Sequence, residues 1–383
     1  MIAYADLPTD SRIVRQAKAA AEMGFSVDMI MPTTGNDEDL DLPDQINLHR
    51  LNSRYYKGLC KLQNLFAYSD FFIRCFFRTS FLYHQKKYRV IHVHNIPDIL
   101  VFTTVVPKIF GAKIILDIHD PMPSTYLAKY VRSRRGFFHG VLIVLERMSA
   151  AYAHSILTVN EPVKNDVLVK DHIRSDKIMV ITNFADGEIF RSVKGFRLDD
   201  PLRLIYHGTI ARRFGFEAAL EAVSKVANPE KLSIKIIGRG DYELPLKKLI
   251  RDLKLEKTVV FDNRTYPLPQ LPEILCTYHL GIVPYSLSRA TDYMLPVKLF
   301  ELLALGIPSV TIGNAAIRYY LDESMYFAYD PLRTSSLTEL LDRIIGDPSL
   351  ILEKREAILR NRERFLWKNE RDRYINHLKS LVQ

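Results

Sequence analysis

The chain has 383 residues, 48% hydrophobic and 25% charged, with 16 glycines, 19 prolines and 3 cysteines. At roughly 100–200 residues per domain it is too long for one ordinary core, so two domains are expected, and bulk disorder, a collagen-like repeat and a disulfide-stapled scaffold are excluded. No apolar run approaches the roughly 20 residues that cross a bilayer as a helix, and the net charge of +9 has a local origin, because residues 50–147 hold 16 Lys or Arg against 5 Asp or Glu. That single-sign stretch points to an anionic partner: phospholipid, lipid diphosphate or nucleic acid.

From the start, MIAYADLPTDSR lacks the basic, apolar and small-residue segments of a secretory signal. Its first apolar run, residues 2–5, is so short that a first strand there either leans on Met1 or begins upstream of it. Cys60, Cys75 and Cys276 form no C-x-x-C pair, which suits a reducing cytoplasm. A helix is predicted over 11–23, with Thr9 or Asp10 as N-cap. Strands are predicted at 25–30, 89–93, 113–118, 155–159 and 178–181, alternating with amphipathic segments as in a parallel sheet covered on both faces. The polar segment 186–200 reads as a linker between domains at 1–185 and 201–360. Strands then resume at 202–206, 232–237, 259–261, 280–283 and 309–311. The tail from 350 reads as helix, and its part 361–383 is expected to pack back on the first domain. Two doubly wound sheets place ligands at the carboxyl ends of their strands.

The most informative segment is TDYMLPVKLFELLALGIPSV at 291–310. Pro296 suits the first helical position, leaving the amides of Val297, Lys298 and Leu299 free for an anion. Lys298 adds a charge, and Glu301, three residues on, could accept from a ribose diol. The spacing equally fits a surface helix with a Lys298–Glu301 ion pair. Gly238 and Gly240, after a strand, permit close backbone approach. Arg264 reads as a ligand neighbour or a surface arginine, and Arg12 as a ligand contact or one half of a helix-face salt bridge. Asp39 and Asp41 form an Asp-x-Asp within an acidic run that reads as a solvated loop rather than a metal site. No His-Asp pair or paired carboxylates stand out for acid–base work, and no residue stands out as a covalent nucleophile.

The order of these motifs resembles that of the family 4 glycosyltransferases. The resemblance is carried by PTDSRIVRQAKAAAEMGFSV at the start, DIHDP at 117–121, YHGTIARRFGFEAALEAV at 206–223, IIGRGD at 236–241, the 291–310 segment and WKNERDRY at 367–374. It implies an α/β GT-B fold, two Rossmann-like domains facing across a cleft, and retaining transfer of a sugar from a nucleotide-sugar donor. By resemblance, Lys298 and Arg213 hold the diphosphate, Glu301 the ribose, and Gly208, Thr209, Gly238, Gly240, Pro296, Val297 and Leu299 line the donor site. His119 would sit near the transferred sugar, with Asp120 and Arg12 on the acceptor side. The family's first glutamate, eight positions before Glu301, is replaced by Tyr293, and the neighbouring Asp292 is taken as its substitute. No metal or cofactor is expected, since cationic side chains and a helix dipole can stabilise the leaving group.

Lys129, Arg132, Arg134 and Arg135 precede Phe137 and Phe138, an arrangement that fits docking on anionic lipid or, alternatively, core helices with outward-reaching cations. No nucleic-acid-binding signature occurs. The leading reading is a cytoplasmic, peripheral membrane enzyme that builds a polysaccharide or glycolipid. A nucleotide-sugar epimerase and a non-catalytic partner subunit are the alternatives.

Overall fold

The computed structural model describes every residue except 8–10, 35–41, 54, 57, 59, 131–135, 192–194, 287 and 383. The proposed N-cap, the Asp-x-Asp and Arg132, Arg134 and Arg135 therefore lie outside the described residues, as does the side chain of Lys129. The chain divides into two compact units, Met1–Asn183 with Glu370–Gln383, and Phe184–Asn369.

In the first unit the strands are β1 (Val27–Pro32), β2 (Ile46–Leu51), β3 (Val90–His94), β4 (Lys113–Ile118), β5 (Ser155–Thr158) and β6 (Ile178–Val180). β3 to β6 lie side by side in sequence order, and β1 pairs with β2, all in parallel. Ile2 bridges β1 at Ile30 and β3 at Val93. Its amide donates to the His92 carbonyl at 2.8 Å, and its carbonyl accepts from the His94 amide at 2.9 Å. The short apolar start thus joins the two sets of strands. In β4, KIILDI, only Lys113 is exposed, the continuous apolar run of a strand covered on both faces. Helix Ser11–Glu22 covers the sheet through Ile13, Ala17, Ala20 and Ala21, all buried, the spacing of one helical face. Glu370 to the chain end completes this unit: the Tyr374 hydroxyl meets His92 Nδ1 at 3.1 Å, and Glu370 accepts from the Thr182 amide at 3.2 Å. The tail is two helices rather than one, Ser349–Asn361 and Trp367–Val382, separated by a tighter turn at Arg362–Phe365.

The second unit holds β7 (Leu202–His207), β8 (Leu232–Ile237), β9 (Val259–Asp262), β10 (Leu280–Val283), β11 (Ser309–Ile312) and β12 (Phe327–Tyr329). They form one parallel sheet in the order β12-β11-β10-β7-β8-β9. β7 is central. The chain winds outward through β8 and β9, then returns to the other side of β7 with β10. Such a reversal leaves a crevice at the carboxyl ends of the two middle strands, where doubly wound sheets take their ligands. Phe184 and Ala185, expected at the end of the first domain, belong instead to this unit's core, as does Phe190 within the segment expected to be a linker.

Candidate donor and sugar sites

The crevice of the second unit opens where β7 ends. Gly208, at φ 109°, makes the turn, and any Cβ there would sit 3.3 Å from Lys298 Nζ. Gly238 (φ 149°) follows β8, and a Cβ would lie 1.8 Å from the Gly208 carbonyl oxygen. At Gly240 it would meet the Ile210 carbonyl oxygen at 2.1 Å. Two backbones thus cross where only glycine fits. Thr209 and Gly240 are exposed beside them, and the Thr209 carbonyl accepts from the Tyr206 hydroxyl at 2.6 Å.

Helix Val297–Ala304 brings its charges to the same place. Leu299, Phe300, Leu302 and Leu303 are buried, and Phe300 packs edge-on against Phe184 at 4.8 Å. This leaves Lys298 and Glu301 on the opposite side. Lys298 Nζ donates to Tyr206 Oη at 2.6 Å and lies 3.9 Å from the Tyr206 ring centre and 4.5 Å from that of Phe214. Burial pulls its pKa from 10.5 down to about 7, against the opposing field of Glu301, with Arg213 adding to the fall. Glu301 is not ion-paired to Lys298: its Oε2 meets His207 Nε2 at 2.7 Å. Arg213 is exposed, its guanidinium 4.9 Å from the Phe214 ring centre.

Two expectations are corrected. Pro296 has extended backbone (φ −74°, ψ 124°) and caps the helix from outside, which begins one residue later at Val297. The Leu299 amide is not free, since it donates to the Pro296 carbonyl at 3.0 Å. Asp292 ends a short helix, and its Oδ1 accepts from the Ala315 amide at 3.1 Å, so part of that carboxylate is already engaged. The loop before Pro296 is held by Asn314, whose side-chain amide donates to the Thr291 and Met294 carbonyls, both at 2.8 Å. Arg264 is exposed and paired with Asp262 at 2.7 Å.

In the first unit, β3 and β4 carry a buried polar cluster that corrects the expectation of no His-Asp arrangement. His92 and His94 sit two apart on β3, and Asp117 and His119 two apart along β4 and its end, so alternation puts each pair on one face. Register sets His94 beside Asp117. Asp117 Oδ2 lies 3.3 Å from His92 Nε2, 3.6 Å from His94 Nδ1 and 3.2 Å from Gln16 Nε2, and Oδ1 lies 3.3 Å from His119 Nδ1. His119 Nε2 meets His94 Nδ1 at 3.2 Å. These imidazoles hold the Asp117 carboxyl far below the usual carboxylate range although burial opposes them, while burial and the neighbouring imidazoles drive His94 neutral. His119 is thus one of three histidines around one buried carboxylate. Ligand atoms of His92, His94 and Asp117 all lie within 4.8 Å of one another, a spacing an ion could bridge, but His92 and Gln16 already supply Asp117 with hydrogen bonds. Asp120 is exposed, and its carbonyl accepts from Asn95 Nδ2 at 2.8 Å. Arg12 forms no ion pair among the described residues, and its Nε and Nη1 are buried without a hydrogen-bond partner there.

Sequence reasoning missed Tyr206, His207, His92, His94 and Asp117. The H-x-H of β3 and D-x-H of β4 carried a readable signal in their period of two, whereas the partners of Tyr206 and His207 are set by tertiary packing.

Comparison with known proteins agrees with this fold. The family profile described as Glycosyltransferase Family 4 matches residues 11–188, and that of Glycosyl transferases group 1 matches residues 201–347. No curated protein sequence matches. Among solved structures, sucrose-phosphate synthase from Thermosynechococcus elongatus is 17% identical with a TM-score of 0.77, covering 99% of this chain and 98% of that one. HepE from Anabaena, in complex with UDP and glucose, is 13% identical at a TM-score of 0.67, covering 99% of both chains. WaaG, a glycosyltransferase of lipopolysaccharide biosynthesis, is 12% identical at 0.69, covering 97% of this chain and 99% of its own. With both halves matched in order and the GT-B fold shared along the whole chain, this protein belongs to the family 4 glycosyltransferases.

Proposed function

We propose that the protein transfers a hexose-type sugar from a nucleoside-diphosphate sugar to a polysaccharide or lipid-linked acceptor, with retention of anomeric configuration. The observation that carries this reading is the placement of Lys298 between two aromatic rings, directly beside the glycine crossing after β7. There Lys298, Arg213 and the start of the Val297–Ala304 helix would face a diphosphate and stabilise it as it leaves. Glu301, oriented by His207, takes the ribose hydroxyls, and Gly238 and Gly240 give the base room. In the first unit, His119 is assigned to the transferred sugar, and Arg12 and Asp120 to the acceptor. The donor C1–O bond breaks, the acceptor oxygen bonds to C1 from the same face, and its proton passes to the departing diphosphate. No metal or other cofactor is required. The UDP and glucose bound by HepE and the lipopolysaccharide role of WaaG support this choice of donor and acceptor class. The acceptor is met at an anionic membrane face, through the basic segment that includes Lys129, Arg132, Arg134 and Arg135, on the cytoplasmic side. Among the described residues no helix is long and apolar enough to cross a membrane.

The test is a melting-point screen with UDP-, GDP-, ADP- and CMP-sugars, because a ligand of the folded state raises its stability by mass action. One nucleotide class should raise the melting point, and Lys298→Ala and Glu301→Ala should each remove most of the rise. Product anomers read by NMR then check retention. Absence of any shift would favour a partner subunit, and interconversion of the donor without acceptor would favour an epimerase.

A further inference from the structure

Of the 21 large apolar side chains that stand exposed among the described residues, 14 fall between Leu62 and Met148. They belong to a layer of helices in the first unit. Helix Lys61–Lys86 and helix Phe137–Tyr152 both pack against the turn Asp98–Thr104. The first buries Ala67, Phe71, Cys75 and Leu82 on its inner side, yet its outer side carries Leu62, Phe66, Ile73, Phe77 and Phe81. That stripe runs for about 28 Å at 1.5 Å per residue. A helix that is apolar on both sides is covered on both sides in its working state. Helix Phe137–Tyr152 is inverted: it buries His139, Glu146 and Ser149 while Phe137 (84% exposed), Phe138, Val141, Val144 and Met148 face out. A water-facing helix has the opposite arrangement.

Charge selects what covers this layer. The same stretch, 50–147, has 16 cationic side chains against 5 acidic ones, and three of those acids, Asp98, Asp117 and Glu146, are buried. Apolar side chains in a stretch with a net excess of cations match an anionic lipid surface, where the rings enter the acyl boundary and Lys and Arg meet headgroup phosphates. The one acid of the first helix, Asp70, is paired with Arg74 at 2.7 Å, so it adds no net charge against an anionic surface.

We infer that the outer faces of helices Lys61–Lys86 and Phe137–Tyr152 insert into an anionic membrane surface. Docking is thereby an apolar insertion by two helices, with the net positive charge of this part of the chain adding attraction; this deepens the membrane-face acceptor reading and rests on it. The experiment compares flotation of the wild type with that of a quadruple variant, Phe66→Ser, Phe77→Ser, Phe137→Ser and Phe138→Ser. The vesicles are phosphatidylglycerol–phosphatidylcholine or phosphatidylcholine alone, at 150 mM salt. All four positions are exposed, so the variant should melt like the wild type. We expect the wild type to float with the anionic vesicles and the variant's bound fraction to fall at least tenfold, with neutral vesicles binding either weakly. Equal flotation of both proteins overturns the inference. So does a wild type that fails to float and instead sediments as an oligomer that the substitutions dissolve, which would make the face a contact between copies. The nucleotide-induced melting shift, read on the same variant, stays intact if only docking is lost and is absent in both proteins if the transferase reading itself is wrong.

Discussion

In both units the chain starts a parallel sheet at its middle and winds outward in turn to each side, so both have a crevice at the ends of two central strands. In the second unit the strand ends lead into Gly208 and Gly238, where a Cβ on Gly238 would lie 1.8 Å from the Gly208 carbonyl oxygen, and Lys298 is held beside them against Tyr206. In the first unit β3 and β4 end in His94 and His119 around the buried carboxylate of Asp117. One topology therefore supports a backbone-lined crevice holding Lys298 and Glu301 and, in the other unit, an imidazole-lined cluster around one carboxylate. The scaffold fixes where a ligand goes, and the side chains that end the strands decide which ligand.

Lys298→Met is the sharpest way to break this comparison. It keeps an apolar stem between Tyr206 and Phe214 but removes the cation, and turnover should fall by about 10²–10³, the scale for losing one preorganised contact to a developing anion. Because the lysine is held enclosed at a desolvation cost, the variant should melt no lower than the wild type. Rates and melting curves on the same samples check both parts.

Asp117→Asn tests the other unit. Removing the anion leaves His92, His94 and His119 packed without their common charge and turns one acceptor oxygen into a donor, and breaking a buried charged network costs on the order of 3 kcal/mol. Urea unfolding should show that loss, while the melting shift produced by the nucleotide sugar stays as large as in the wild type. If the shift vanishes as well, the two units are not separable in the way their contacts suggest.

The pH dependence sharpens the contrast further. Unfolded, Lys298 titrates near 10.5, and folded near 7, so between those values the unfolded chain binds more protons and this group makes stability rise with pH. Donor binding has the opposite sign, since the diphosphate prefers the ammonium form. Above pH 7 affinity for the nucleotide sugar should drop by up to about tenfold per pH unit, and calorimetry at pH 9 should record proton uptake. Lys298→Met should bind weakly and show a flat profile.

Much of the frame was legible because strands covered on both faces are apolar runs, as at 113–118 and 280–283, and a strand with one face less covered alternates, as at 232–237; all three match the observed limits of β4, β10 and β8. β2 was not, since INLHRL is half-buried and polar and carries little periodic signal. β12 is three residues long, too short to register. The donor motif was readable because its chemistry lies within one helical turn, where spacing alone sets Lys298 and Glu301 on one side. His207 comes to Glu301 from 94 residues away, so only the packing of β7 against that helix reveals it. The His and Asp cluster lies between these cases: the period of two was visible on each strand, but the register of β3 on β4 was not.

The smallest effect is expected at Asp292, and its size decides a point the family pattern leaves open. If this carboxylate replaced the glutamate that Tyr293 displaces, Asp292→Ala would remove a direct contact to the donor sugar, and a charge-assisted hydrogen bond of about 1.5–3 kcal/mol would mean a loss of roughly tenfold or more. Its Oδ1 is instead engaged by the Ala315 amide, where it helps to hold the loop that Asn314 clamps from the other side. The expected outcome is therefore a loss of about 0.5–1.5 kcal/mol in stability, with less than a threefold change in KM for the donor. A tenfold rise in KM with unchanged melting would reverse this assignment, placing the free oxygen of Asp292 on the sugar and giving the crevice of the second unit a second carboxylate beside that of Glu301.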